Sequence, residues 1–408
     1  MTKIMIEKLG AKGDGIGMFK GAEVFVPYTV PGEHVEGEIV GERMNEARIL
    51  EPVALRVKAP CSHFKTCGGC ATQHIDRAFL ADWKRDLVRD ALSKQGLETE
   101  LRATITSPPQ SRRRAVFKGK RTKAGAFLGF HARGTSQVVP INSCNLIHPD
   151  ISAGFLGLKA LVKIATSRKS EARIAVTTSI GGLDVSVNDA LPLDTSMQAQ
   201  VVKITHDHRF SRLLWNNEVV IERTAAEQKF GTARVTPPAE SFLQATQNGE
   251  SVLVEAVQNI VGDAKKVADL FSGCGTFTLP MAKNSEVAAF ESNGSMLKAL
   301  DKGWRTAVGL KKVETIKRDL FQNPLREDEL KPFDAVVIDP PRAGARAQTE
   351  LLVASSINTI AFVSCYPATF ARDARILLDG GFTLDWVQTV DQFLWSRHCE
   401  LVAQFKRK

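Results

Sequence analysis

A chain of 408 residues with 43% hydrophobic side chains is long enough for two or three separate cores, because single cores stop growing near ~250 to 300 residues. Lys and Arg outnumber Asp and Glu by 54 to 45, a net charge of +9 with an isoelectric point near 9.2, which favours a polyanionic partner. No apolar run approaches the ~20 residues that span a bilayer, and MTKIMIEKLG lacks the apolar region and cleavage site of a signal peptide, so a cytoplasmic protein with no membrane partner is expected.

Residues 1–56 carry short alternating runs (EVFVPYTV, HVEGEIV, EARILEPV) broken by glycines, the pattern of a small all-β barrel. GDGIGMFKGAEVFVPYTVPGE resembles a TRAM domain, an RNA-binding barrel of RNA-modifying enzymes; a barrel with a purely structural role is the alternative. Residues 57–232 read as a central α+β domain. It opens with Cys61, Cys67 and Cys70 in a CxxxxxCGGC stretch, and Cys144 follows alone. In a reducing compartment these thiols read as metal ligands. Three close cysteines plus one fit a [4Fe-4S] cluster, and structural zinc remains open, with His63 as a substitute ligand.

An amphipathic helix (AFLADWKRDLVRDALSKQ) leads to SRRRAVFKGKRTKAGAFLGFHARG, where Arg112, Arg113, Arg114 and Lys118 stand in a basic run containing Phe117 and followed by Phe127 and Phe130. Cations interleaved with aromatics pair with phosphates and stack on bases, so this run is the expected RNA contact; a solvated hairpin face is the alternative.

Residues 233–408 alternate as strand and helix (KKVADLF, EVAAFES, VETIKRD, DAVVIDPP, TIAFVSC), which predicts an α/β, doubly wound, mostly parallel Rossmann-like sheet. Its first strand runs into Gly273-Cys274-Gly275, a turn that brings a cofactor to bare backbone at the carboxyl edge. The strand ends Asp269, Glu291, Asp319, Asp339 and Cys365 are expected to line one crevice. Two glycines followed by a ribose-gripping acid suit S-adenosylmethionine at least as well as NAD. Cys365, beside a proline at a strand end, is placed as a nucleophile, a core thiol being the alternative.

SFLQATQNG, DLFSGCGTFTLPMA, FES, IDPPRAG, FVSCYPATFARD and HCELV resemble, in order, the motifs of the RNA uracil-C5 methyltransferases. The barrel and the CxxxxxCGGC…C motif resemble the 23S rRNA branch of that family, which carries both, whereas the tRNA branch has neither. The resemblance implies Cys365 as nucleophile, Glu400 as base, Gln244, Gly273, Glu291 and Asp339 at the methyl donor, and RNA as partner with no obligate protein partner. Ala245 and Thr246 stand where the family usually shows Val-Asn, and Tyr366 where Asn is usual. A tRNA substrate, or a non-catalytic RNA-binding protein with a decayed methyltransferase fold, are the competing readings.

Overall fold

The computed structural model describes residues 1–407, arranged on three large β-sheets and one two-stranded ribbon. The first sheet is antiparallel: Thr2–Leu9 lies between Gly15–Phe19 and His34–Gly37, with Ala22–Val26 and Arg48–Glu51 outermost. Phe25 and the 42–44 turn exchange backbone hydrogen bonds of 2.8 and 3.1 Å, which curls the sheet around Ile6, Val26, Val35 and Met44. The glycine-punctuated alternation of residues 1–56 therefore builds a small β-unit of its own.

The second sheet has seven strands, in the order Glu218–Glu222, Arg212–Trp215, Gly182–Asn188, Glu171–Ser179, Arg114–Thr122, Gly125–His131 and Val138–Pro140. Helices Phe155–Ala165 and Thr195–Asp207 cover one face, burying Leu158, Leu161, Val162 and Val201. Within the basic run, strand alternation sends Ala115, Phe117 and Gly119 into that core. Phe117 is fully buried, its ring 5.0 Å from Phe130 and 5.6 Å from Phe155, so it packs a core and cannot stack on RNA.

The third sheet has eight strands, in the order Val313–Lys317, Glu286–Glu291, Lys266–Leu270, Ala335–Ile338, Thr359–Ser364, Glu400–Arg407, Phe382–Asp391 and Glu100–Thr106. The first five are parallel, and Glu400–Arg407 runs antiparallel to both its neighbours. Successive residues point to opposite faces, so each face has its own core. Leu270, Ile338, Phe362 and Phe405 meet helix Pro367–Asp379 on one side, and Val267, Val337, Val363 and Val402 meet helix Gln247–Val261 on the other.

The last strand in that order corrects the domain boundary. Glu100–Thr106 and the helix before it, Arg77–Ser93, fall inside the segment read as central, yet the strand extends the C-terminal sheet in parallel beside Phe382–Asp391. The helix starts at Asp76, whose side chain accepts from the amides of Ala78 and Phe79, and buries Leu80, Trp83, Val88 and Leu92. Local periodicity identified the helix but held no information on which sheet receives it. Among the described residues no helix is long and apolar enough to cross a membrane.

Candidate active site and a cysteine-lined cavity

At the carboxyl edge of the parallel strands, the turn after Lys266–Leu270 places Phe271, Gly273 and Gly275 at positive φ. At Gly275 a Cβ would meet Leu300 Cγ at 2.9 Å, so glycine is what lets helix Gly294–Thr306 close on the turn. The Gly273 amide donates to Glu291 Oε2 at 3.1 Å, while Glu291 Oε1 accepts from Asn293 N at 2.8 Å. Asp269 is fully buried; Thr278 Oγ1 donates to its Oδ2 at 2.5 Å, and its Oδ1, like Ser272 Oγ, has no partner. Burial first, opposed by the Thr278 hydrogen bonds and aided by Glu291, pushes the Asp269 carboxyl up to about 7. Buried oxygens without partners at a strand-end turn fit a ligand rich in hydroxyl and amino donors. Asp319, at the next strand end, is exposed, and its side chain accepts from Phe321 N at 2.9 Å.

Asp339 follows Ala335–Ile338 directly, and burial, with Asp269 nearby, raises it to about 7. Cys365 follows Thr359–Ser364. The register pairs Ser364 with Leu401, so one step further the thiol stands opposite Glu400 across the antiparallel pair. Burial, then Glu400 and Asp339, push the Cys365 thiol up to about 11, against the pull of Arg342. Glu400 is itself buried, and burial and Asp339 raise its carboxyl well above the usual range.

Sequence reading missed the residue that joins these groups. Gln392 is buried; its Nε2 donates to Gln244 Oε1 at 2.5 Å and to Glu400 Oε2 at 3.0 Å, and its Oε1 accepts from Ala245 N at 2.7 Å. The Ala245 N–H dictates the amide's orientation, since a flipped amide would face it with another donor. Gln244 Nε2 in turn reaches toward Asp339 Oδ2 at 3.5 Å. The signal was the DQF ahead of HCE, two adjacent polar side chains at the exit of a strand. Ala245 contributes through its backbone, and Thr246 caps helix Gln247–Val261 by accepting from Gly249 N at 2.9 Å. Neither departure from the family pattern therefore disturbs the network. Tyr366, 46% exposed, starts helix Pro367–Asp379 beside the thiol.

The expected RNA contacts at the start of the basic run are turned inward. Arg113 is 4% exposed, pairs with buried Glu250, and donates through Nε to Gln244 O at 2.9 Å. Arg114 donates to Glu240 O at 3.2 Å and Leu243 O at 3.4 Å, and Lys118 pairs with Asp189 at 3.6 Å. These arginines hold the 240–246 loop in place, because a guanidinium leaving water needs either a carboxylate or carbonyls that bond it. Arg112 stands over Phe393, 5.9 Å from its centroid, and faces the cysteines.

Cys61, Cys67, Cys70 and Cys144 line one cavity of about 470 Å³, together with Arg112, Phe393 and His398. Burial raises Cys67, Cys144 and Cys70, the last to about 12, and each feels its neighbouring thiols. Among the described residues no three His, Cys, Asp or Glu side chains converge to hold a metal ion.

A family profile described as tRNA (Uracil-5-)-methyltransferase matches residues 184–408. An RNA methyltransferase of Mesorhizobium japonicum is 40% identical over 98% of this chain and 97% of its own length. The 23S rRNA (uracil(1939)-C(5))-methyltransferase of Vibrio vulnificus is 27% identical over 99% of this chain and 96% of its own. The crystal structure of the Pyrococcus abyssi tRNA (uracil-54, C5)-methyltransferase with S-adenosyl-L-homocysteine superposes with a TM-score of 0.77 at 24% identity, each chain 99% covered, and so shares the fold. The chain is thus an RNA methyltransferase and belongs to the tRNA (uracil-5-)-methyltransferase family.

Proposed function

We propose that this protein methylates C5 of a uridine in 23S rRNA through Cys365 and Glu400. The observation that carries the reading is their placement opposite each other on antiparallel strand ends, with Glu400 linked through Gln392 and Gln244 toward Asp339. S-adenosylmethionine supplies an electrophilic methyl on a cationic sulfur; Asp269, Gly273, Gly275 and Glu291 would hold its nucleoside end, and Gln244 and Asp339 its reacting end.

Uracil C5 is a weak nucleophile until a thiolate adds to C6. Cys365 forms the S–C6 bond, and the electron pair displaced onto the C5–C4–O4 enolate forms the C5–CH3 bond as the methyl leaves the donor's cationic sulfur, which keeps the bonding pair and becomes a neutral thioether. Glu400, as carboxylate, then takes the C5 proton, and the S–C6 electron pair leaves with Cys365. Without ligands, burial and mutual repulsion raise both groups, the Cys365 thiol to about 11. A cation entering beside Asp339 favours the ionised forms of both, so the nucleophile is armed when the donor is present. Gln392 leaves the carboxylate a fixed direction in which to meet C5.

The likeness to the Vibrio vulnificus 23S rRNA enzyme, over 99% of this chain, supports an rRNA substrate. We read Cys61, Cys67, Cys70 and Cys144 as ligands of a [4Fe-4S] cluster that braces the loop between the N-terminal unit and the crevice. Methyl incorporation into protein-free 23S rRNA and into tRNA transcripts, with mapping of 5-methyluridine, tests the substrate: rRNA labelling supports the reading, and exclusive tRNA labelling overturns it. Protein purified without oxygen should be brown with about four irons. Colourless protein with one zinc rejects the cluster.

A further inference from the structure

Residues 111–170 carry twelve Lys and Arg against one acid, Asp150, so this segment alone exceeds the chain's net charge of +9 and the remainder is slightly acidic. The fold divides these cations into two groups. Arg112, Arg113 and Arg114 turn inward, as described above. Lys120 pairs with Glu171 at 2.6 Å and Arg133 with Asp14 at 2.7 Å. Arg121, Lys123, Lys163, Arg168 and Lys169 are all exposed and take part in no ion pair among the described residues.

These five come from separate stretches brought to one place. Arg121 and Lys123 sit at the turn between strands Arg114–Thr122 and Gly125–His131, Lys163 in the last turn of helix Phe155–Ala165, and Arg168 and Lys169 in the loop after it. Arg121 Nη1 donates to Lys163 O at 3.3 Å, and Arg121, Thr122, Lys123, Ser167 and Arg168 line an open concavity of about 490 Å³. Five cations without a carboxylate repel one another, and a row of phosphates relieves that repulsion. No aromatic side chain lines the concavity, so it can grip a backbone but has no surface on which to stack a base.

Its distance from the reaction follows from the strand. Arg114, at one end, bonds Leu243 O beside Gln244. At ~3.3 Å per residue, the turn at the other end lies roughly 25 Å away. We propose that Arg121, Lys123, Lys163, Arg168 and Lys169 form a distal docking patch for RNA phosphates, roughly 25 Å from the reacting uridine. It selects substrates large enough to reach both places. The inference rests on the uridine site at Cys365 and deepens it.

The test compares R121A/K123A/R168A/K169A with the unaltered protein on two RNAs that share the target uridine, a short hairpin and the same hairpin with a long helical extension. On the extended RNA, affinity at low salt should fall at least ~10-fold, and the slope of log affinity against log salt should flatten by ~0.7 to 0.9 for each phosphate no longer neutralised. The short hairpin should bind both proteins alike. R121K/R168K should keep the slope, because a point charge suffices. An unchanged slope on the extended RNA, or equal losses on both RNAs, overturns the proposal. So does unchanged binding of naked RNA with reduced binding of RNA–protein particles, which would assign the patch to an acidic protein. The covalent adduct formed with 5-fluorouridine in the short hairpin reports the Cys365 reaction separately, so a failed patch and a failed active site give different results.

Discussion

The Cys365 thiol and the four cysteines of the cavity share one connecting segment in this protein and meet different neighbours. Residues 391–399 leave the catalytic crevice at Gln392 and contribute Phe393 and His398 to the cysteine cavity. Burial raises Cys365 to about 11 and Cys70 to about 12, so burial does not distinguish them. Their neighbours do. Cys365 faces Glu400 and Asp339, which can accept protons, whereas Cys70 faces three further thiols and Arg112. A thiol beside carboxylates suits the addition and elimination proposed for Cys365, and thiols beside thiols suit the metal group proposed for the cavity.

Removing each thiol in turn tests this contrast at its widest. Cys365→Ala should abolish methyl transfer and the adduct while RNA and donor still bind; wild-type turnover in that variant sinks the nucleophilic path. Cys144→Ser should instead lower iron content and folding yield, read by metal analysis and thermal melting, because metal binding and folding are coupled. Glu400→Gln should slow turnover by about 10² to 10⁴ and accumulate a denaturant-resistant protein–RNA band, since the C5 proton then has no acceptor. Normal turnover with no band assigns the base elsewhere.

Arg113→Leu leaves Glu250 buried and unpaired, and should cost about 3 to 5 kcal/mol in denaturant unfolding. A loss under ~0.5 kcal/mol, typical of surface sites, would place Arg113 on the solvated face after all.

The smallest effect is a pH dependence. Asp339 has its carboxyl near 7 in the free crevice, and a cationic donor binds the ionised form, so donor affinity should fall as pH drops from about 8 to 6, by up to ~10-fold per unit below 7. Calorimetric titration measures it. The linked stability has the opposite sense. Because burial raises Asp269 and Asp339 above their unfolded values, both favour the folded state below about pH 4, and that contribution is lost as pH rises through about 7. Asp269→Asn should therefore raise the melting temperature of donor-free protein at pH 8 and leave it unchanged at pH 4.

The catalytic half was legible because its chemistry sits at fixed places in a periodic pattern. A parallel strand delivers its last residue to one edge, so Asp339 and Cys365 could be named from the apolar runs that precede them, and Glu400 from its motif. Three of the four cavity cysteines, Cys61, Cys67 and Cys70, could be grouped for the same local reason, lying within ten residues, whereas Cys144 stands far along the chain. Composition could say that residues 111–170 are basic. It could not say which of those cations meet water, since the partner of Arg113 lies 137 residues away. Nor could periodicity place Glu100–Thr106 on the C-terminal sheet, or show that Gln392 bonds Gln244 from 148 residues further along the chain. Spacing along the chain reports only what one strand or helix imposes on itself. Desolvation of a charge, and the hydrogen bonds that offset it, are settled between elements, and only the folded chain brings those elements together.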